Sequence, residues 1–199
     1  VVQRMSHYRY WFSILIFSFP FNLFAQMETD QISLNQLMQF MAKHKEIHAT
    51  FVESKYIKGI DVPLESSGDL MFMAPSTMVR HTLQPKPEMF KLTGDTMTVE
   101  RMGKTHSLQI DDYPEISLHF EGVRALLAGD AERLNYLYHV DLTGTFLDWK
   151  LVLRPLQQDS ALKSLNLLGS HDRVNSVEVH LNDGDYSIMQ VSRKNTLDD

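Results

Sequence analysis

The residues from Ile47 to Leu92 constrain the fold most. They read IHATFVES, then a polar turn, then SSGDLMFMAPSTMVRHTLQPKPEMFKL. Apolar and β-branched runs are separated by Gly, Pro and Ser, and no window is long or periodic enough for a helix. The pattern predicts a meander of antiparallel strands. From Gly68 to Pro75 both parities are apolar, with Leu70, Phe72 and Ala74 on one side and Met71 and Met73 on the other. A sheet with one wet face alternates apolar with polar residues, so this run predicts a strand covered on both faces. Two arrangements do that: the central strand of an ordinary packed core, and a sheet curved around an apolar cavity. The chain has 11 methionines, and Met71, Met73 and Met78 fall in this stretch. A cavity so lined suits a flexible, shapeless ligand.

A chain of 199 residues supports one domain with a sizeable core. Its formal net charge of -6, with no run of Lys and Arg, gives no basic surface for phosphates and argues against nucleic acid as a partner. Arg4 and Arg9 precede an apolar stretch, Trp11 to Phe24, and Ala25 follows before a polar segment. This is the pattern of a cleavable signal peptide over residues 1–25, leaving 26–199 as the exported domain. The stretch contains Pro20 and is shorter than the roughly 20 apolar residues of a membrane span. Cleavage would remove two basic residues and no acidic one, taking -6 to -8. The chain has no cysteine, so neither a disulfide nor a lipidated N-terminal Cys is available, and an exported, unanchored protein held by its core is expected.

After the signal, Leu34, Leu37, Met38 and Met41 recur at i, i+3, i+4 and i+7, and Ser33 with Gln36 fits a capping box, which predicts a helix over 33–45. Beyond the opening stretch, Thr96 to Met102 and Thr105 to Ile110 continue the strands, with turns at Gly94-Asp95 and Gly103-Lys104. Pro114 then suits a helix start, Ile116, Phe120, Val123 and Leu127 make its stripe, and Gly129 its stop, giving a helix over 114–128. A helical turn follows from Ala131 to Leu137. Five further strands are expected at Tyr138–Leu142, Phe146–Arg154, Leu162–Leu168, Val174–Leu181 and Tyr186–Val191, about ten in all, with Asp183-Gly184 as a two-residue hairpin. The tail from Arg193 is polar.

Catalytic chemistry has no foothold in this pattern. There is no G-x-S-x-G elbow, P-loop, H-E-x-x-H or nucleotide-binding glycine fingerprint. His44 and His48 have the i, i+4 spacing of helical metal ligands, but a β-rich run begins at His48, which places the two on different elements with no third ligand. Asp111, Asp112 and Glu115 could in principle do acid–base work; at a strand-to-helix junction they read instead as capping the helix dipole. Binding is therefore expected, with no enzyme activity, cofactor or metal.

The order of elements and several local motifs resemble the periplasmic outer-membrane lipoprotein carrier family, LolA. A short helix followed by IHATFVES is similar to the family's first strand. SSGDLMFMAPSTMVRHTLQP resembles its G-x-L-x-x-x-x-P-x-x-x-R/W segment, and DTMTVER, FLDWKLVLRPL and VNSVEVHLNDGDYSIMQV continue the likeness over nearly the whole exported chain. The resemblance implies an α+β fold, an incomplete antiparallel β-barrel or half-barrel with a helical lid over an apolar cavity. It implies a monomeric periplasmic carrier of a Gram-negative cell that ferries an acyl lipid or lipoprotein toward the outer membrane, between an inner-membrane release complex and an outer-membrane acceptor. The alternative is a periplasmic structural or sensor domain of the same fold. The ligand-binding set then comprises Leu37 and Met41 on the first helix and Phe120, Val123 and Leu127 on the second. On the strands it comprises Phe51, Leu70, Phe72, Ala74, Met78, Arg80, Phe90 and Leu92.

The chain departs from the family pattern at Ala74, where these carriers commonly have a pre-proline Arg that helps hold the lid. Ala cannot make those bonds, which predicts a lid that opens more readily. On one extended strand, Arg80 would lie roughly 20 Å from Ala74 at ~3.3 Å per residue, too far for the same contacts. Arg80 is then expected to meet an anionic head group or a carboxylate at the cavity mouth, and the cargo to be a free or glycerol-linked acyl lipid.

Overall fold

The structure is a computed structural model that describes residues 31–194, the side chains of 114–116 excepted. The expected signal peptide, residues 1–25, and the end of the tail lie outside the described residues. The first helix, α1 (Leu34–Met41), opens on the expected capping box: the Gln36 N–H donates to Ser33 Oγ at 3.3 Å and the Ser33 N–H to Gln36 Oε1 at 2.9 Å. It ends sooner than the stripe predicts. The Lys43 and His44 N–H groups turn back to carbonyls three residues earlier, those of Phe40 and Met41, and the first strand begins at Glu46.

Six strands then run as a meander: β1 (Glu46–Tyr56), β2 (Leu64–Met73), β3 (Thr77–Gln84), β4 (Glu88–Thr93), β5 (Thr96–Arg101) and β6 (Lys104–Gln109). A 3-10 turn, Ile110–Asp112, leads into α2 (Pro114–Ala128) and α3 (Ala131–Leu137). A second meander follows, β7 (Tyr138–Thr145), β8 (Asp148–Pro155), β9 (Leu162–Ser170), β10 (Arg173–Leu181) and β11 (Tyr186–Arg193). All pairings are antiparallel, and β11 pairs with β1, so the two meanders form one eleven-stranded sheet with β6 and β7 at its two edges. The sheet is not closed. Between β10 and β11 the expected two-residue hairpin is a loop over 182–185, closed by the Leu181 N–H on the Asp185 carbonyl at 2.8 Å.

This connectivity explains the lid. Because β6 and β7 are opposite edges, the chain between them must cross the sheet. Eleven strands at about 4.8 Å would span roughly 48 Å if flat. Placed end to end, α2 and α3 reach only about 33 Å at 1.5 Å per residue. The six other residues of the connection add about 16–20 Å, enough only for a straight run across a flat sheet, whereas a curled sheet lets the helices lie back over its concave side and pack on it. Bulges at Ser67/Gly68, Val174/Ser176 and His180/Leu181 help it bend.

The expectation that both faces of β2 are covered does not hold. Leu70 and Phe72 face the concave side in register with Ala49 and Ile47, and Phe72 is buried; Met73 is exposed, as is Val52 on β1. No second layer packs on the convex face among the described residues. Nor does one strand run from Gly68 to Arg80. The chain reverses at Ala74–Ser76, so Ala74 sits in a turn, its N–H on the Lys45 carbonyl at 2.9 Å, and Arg80 lies on β3 opposite Leu70. Pro75 between two short apolar runs carried the turn signal that the extended reading passed over.

Helix α2 has the predicted bounds, with Pro114 in its first turn and Gly129 as a left-handed cap at φ 72°. Its N-cap is Tyr113, with no side-chain cap bond, and Asp111 and Asp112 are exposed in the preceding 3-10 turn. The carboxylate capping expected there is thus not made through Asp111 or Asp112 hydrogen bonds. The main core lies between the helices and β7–β10, with Leu37, Met38 and Met41 of α1, Leu118, Ala125 and Leu126 of α2 and Leu134 of α3 against Trp149, Leu151, Leu153, Leu165 and Leu167. Gly122 permits the close approach: a Cβ there would stand 2.6 Å from Leu165 Cδ2 and 3.1 Å from Leu153 Cδ1. A smaller core, Leu92, Met97 and Ile110, lies on the β4–β6 side, with Phe120 packed on it.

Candidate functional site

Between the two cores the concave face leaves a cavity of about 440 Å³. Antiparallel register builds its wall, because residues directly paired share a face. Ile47, Phe72, Met78, Leu92 and Met97 form one such row across β1 to β5; Ala49, Leu70, Arg80 and Phe90 form the next. The opposite wall is Val177 and Val179 of β10 with Met189 and Val191 of β11, and the roof is Phe120, Val123 and Leu127 of α2. Of the residues singled out in the sequence, Leu70, Phe72, Met78, Arg80, Phe90, Leu92, Phe120, Val123 and Leu127 meet here. Leu37 and Met41 are fully buried in the main core instead, Phe51 lies beneath Arg80, and Ala74 is in the β2–β3 turn.

One polar cluster interrupts the apolar lining. Arg80 Nη2 donates to Glu53 Oε2 at 2.6 Å and to Ser66 Oγ at 3.1 Å, and its guanidinium lies 4.5 Å from the centre of the Phe51 ring. His119 of α2 borders the same space. Burial, reinforced by the charge of Lys55 and opposed by that of Glu53, holds its pKa down at about 4, so the ring is neutral at pH 7. Arg80 Nε and His119 Nδ1 are buried with no hydrogen-bond partner among the described residues. A buried polar group left so costs about 1–3 kcal/mol. Of the missed residues, Glu53 shares the parity of Ala49 and Phe51 on β1, and His119 precedes Val123 by one helical repeat of four. Both were open to a stripe argument that counted polar as well as apolar positions.

At the other end of the cavity, Arg193 Nη2 donates to His44 Nδ1 at 2.9 Å, and His44 Nε2 pairs with the Asp172 carboxylate. Burial raises the Asp172 pKa, but the His44 hydrogen bond and the Arg193 charge outweigh it and hold it below the usual carboxylate range. The cluster ties the α1–β1 loop to the β9–β10 turn and β11. His48, by contrast, points away on β1 and bonds Glu46 at 2.7 Å, so the two histidines do not converge.

The lid is held from its own side. Arg124 Nη1 of α2 donates to the Gly94 carbonyl in the β4–β5 turn at 2.9 Å, and the same guanidinium pairs with buried Glu121, which also accepts Arg133 Nε of α3 at 3.0 Å. Tyr138 of β7 donates its hydroxyl to the Leu118 carbonyl of α2, and burial pushes that phenol's pKa up. The lid thus has a contact to the sheet that does not depend on position 74. An arginine on the helix reaches a carbonyl on the sheet, where a strand arginine was expected to reach the helix.

Solved structures with a related course of chain include a LolA superfamily protein from Nitrosomonas europaea, at 7% identity and TM-score 0.46, covering 81% of this chain and 92% of that one. A DUF1329 family protein from Desulfovibrio piger matches at 10% identity and TM-score 0.47 over 83% and 91%. The lipoprotein LppX of Mycobacterium tuberculosis matches at 14% identity and TM-score 0.40 over 80% and 93%. No curated protein sequence matches the chain. The family model described as outer membrane lipoprotein carrier protein LolA-like matches residues 27–192, most of the sequence, and the chain belongs to that family.

Proposed function

We propose that this protein is a periplasmic carrier that takes up acyl chains of a lipid or lipoprotein in the cavity beneath α2 and conveys them toward the outer membrane. The observation that carries the reading is the cavity itself, about 440 Å³, walled by Met, Val, Leu and Phe and roofed by a helix that the topology forces across it. Such a space fits a flexible apolar ligand. Family membership supports the same reading. The site is non-catalytic on this view, its Ser66 hydroxyl being taken up by the Arg80–Glu53 pair. Residues 1–25 are a signal peptide and 26–199 one monomeric domain. An inner-membrane donor and an outer-membrane acceptor complete the route.

The test is purification from the native periplasm, identification of co-purifying lipid by mass spectrometry, and displacement of a neutral hydrophobic dye by candidate lipids. A bound acyl lipid or lipoprotein, and competition with the dye, are the expected results. A protein that carries no lipid and binds no dye is a structural or sensor domain of the same fold. The mature N-terminus read in the same experiment should be Gln26, and a protein retaining Trp11 to Phe24 overturns the signal assignment.

A further inference from the structure

Resting on the acyl-binding reading above, we infer that the cavity also reads its ligand's head group, and that the ligand is an amphiphile whose anionic carboxylate or phosphate meets Arg80.

Register sets the direction. The wholly apolar row Ile47, Phe72, Met78, Leu92 and Met97 is next to the row containing Arg80, and Arg80 reaches away from it, across the Phe51 ring, to Glu53 and Ser66. Beyond Glu53 on the same face of β1 comes Lys55, which is exposed and has no carboxylate within ion-pair distance among the described residues. Asp185 borders the cavity as well, and its carboxylate accepts the Lys58 N–H at 2.9 Å. The apolar rows thus pass directly to a charged cluster in which Arg80 and Lys55 face Glu53 and Asp185, so an amphiphile's chain and its head group find separate surroundings.

Donors set the head group. Arg80 gives Nη2 to Glu53 and Ser66, and its buried Nε lacks an acceptor. Nη1 makes no hydrogen bond among the described residues, so an anion entering beside His119 meets a donor there without having to break the Glu53 pair, and a second anion oxygen finds the field of Lys55. Glu53 is then a competitor for Arg80 that keeps the site from holding every anion.

The experiment displaces N-phenyl-1-naphthylamine from the delipidated protein with palmitate, hexadecanol and lysophosphatidic acid. The expected result is displacement by palmitate or lysophosphatidic acid at about tenfold or more lower concentration than hexadecanol, the equivalent of one charge-assisted hydrogen bond. Arg80→Met should abolish the preference, so that within that variant anions and hexadecanol displace the dye at one level, while Glu53→Gln should widen the preference for the anions. Because Arg80→Met strands Glu53, the double variant Glu53→Gln with Arg80→Met is the folding control and must show the same loss. Equal displacement by all three in the unaltered protein, or an anion preference that survives Arg80→Met, overturns the head-group inference and leaves the acyl-binding reading standing. Failure of all three to displace the dye overturns that reading instead.

Discussion

At pH 7 His119 is an uncharged ring beside the Arg80–Glu53 pair because burial holds its pKa near 4, against 6.5 for a free histidine. Between those values the unfolded chain binds a proton that the folded chain refuses, so stability falls as pH drops from about 6.5 toward 4. Thermal melts across that window should show the loss, and His119→Gln should flatten it; an unchanged slope would place the effect elsewhere. Asp172 and Glu178 act lower down. Their pKa values lie below the ordinary 3.8 and 4.5, through His44 and Arg193 for Asp172 and chiefly the Asn166 hydrogen bond for Glu178. The stability they contribute is present above those ordinary values and disappears as pH falls through the folded ones. None of these partners is a neighbour in sequence of the group it perturbs; His180, which also bonds Glu178, lies two residues from it. Single residues showed their type and parity, and the fold chose what they touch.

Helix α2 was legible to the residue, from Pro114 through the stripe to Gly129, because propensity, capping and periodicity agree there. That it covers the cavity came from the family resemblance alone, since the partner surface comes from strands on both sides of it in the chain. Two contacts decide its seat. Gly122→Val forces a branched side chain into Leu165 and Leu153 and should destabilise the fold by about 1–3 kcal/mol through overpacking, read as a lower urea midpoint. Arg124→Met removes the bond to the Gly94 carbonyl and one partner of Glu121. A lid so released should exchange dye faster in stopped flow while the sheet's circular dichroism is unaltered. Exchange at the original rate would show that Tyr138 and the core contacts hold α2 without Arg124.

For the whole molecule, a ligand held only by the folded, curled sheet should stabilise it by mass action. At a hundred times its dissociation constant a lipid adds about 2.7 kcal/mol, which for a domain of this size is a rise in Tm of roughly 5–10 °C. Calorimetry with and without the best-displacing lipid checks this, and no shift would mean that binding is confined to the surface. The sequence by itself determined the elements: antiparallel strands in two meanders, α2 and α3 between them, and the apolar parity of the concave wall, all set by spacings within a few residues. It misread Gly68 to Arg80 as one strand, because alternation looks the same on either side of a turn and Pro75 was given too little weight. Only the tertiary structure decided that β11 closes onto β1, that the sheet curls until two helices can cross it, and that Met73 on its convex face stays exposed. The register of β1, β2 and β3 carried Arg80 to Glu53, 27 positions away, and the crossing helix put His119 beside them. The β11–β1 pairing joins residues more than a hundred positions apart, where geometry, and no local pattern, fixes which groups share a space.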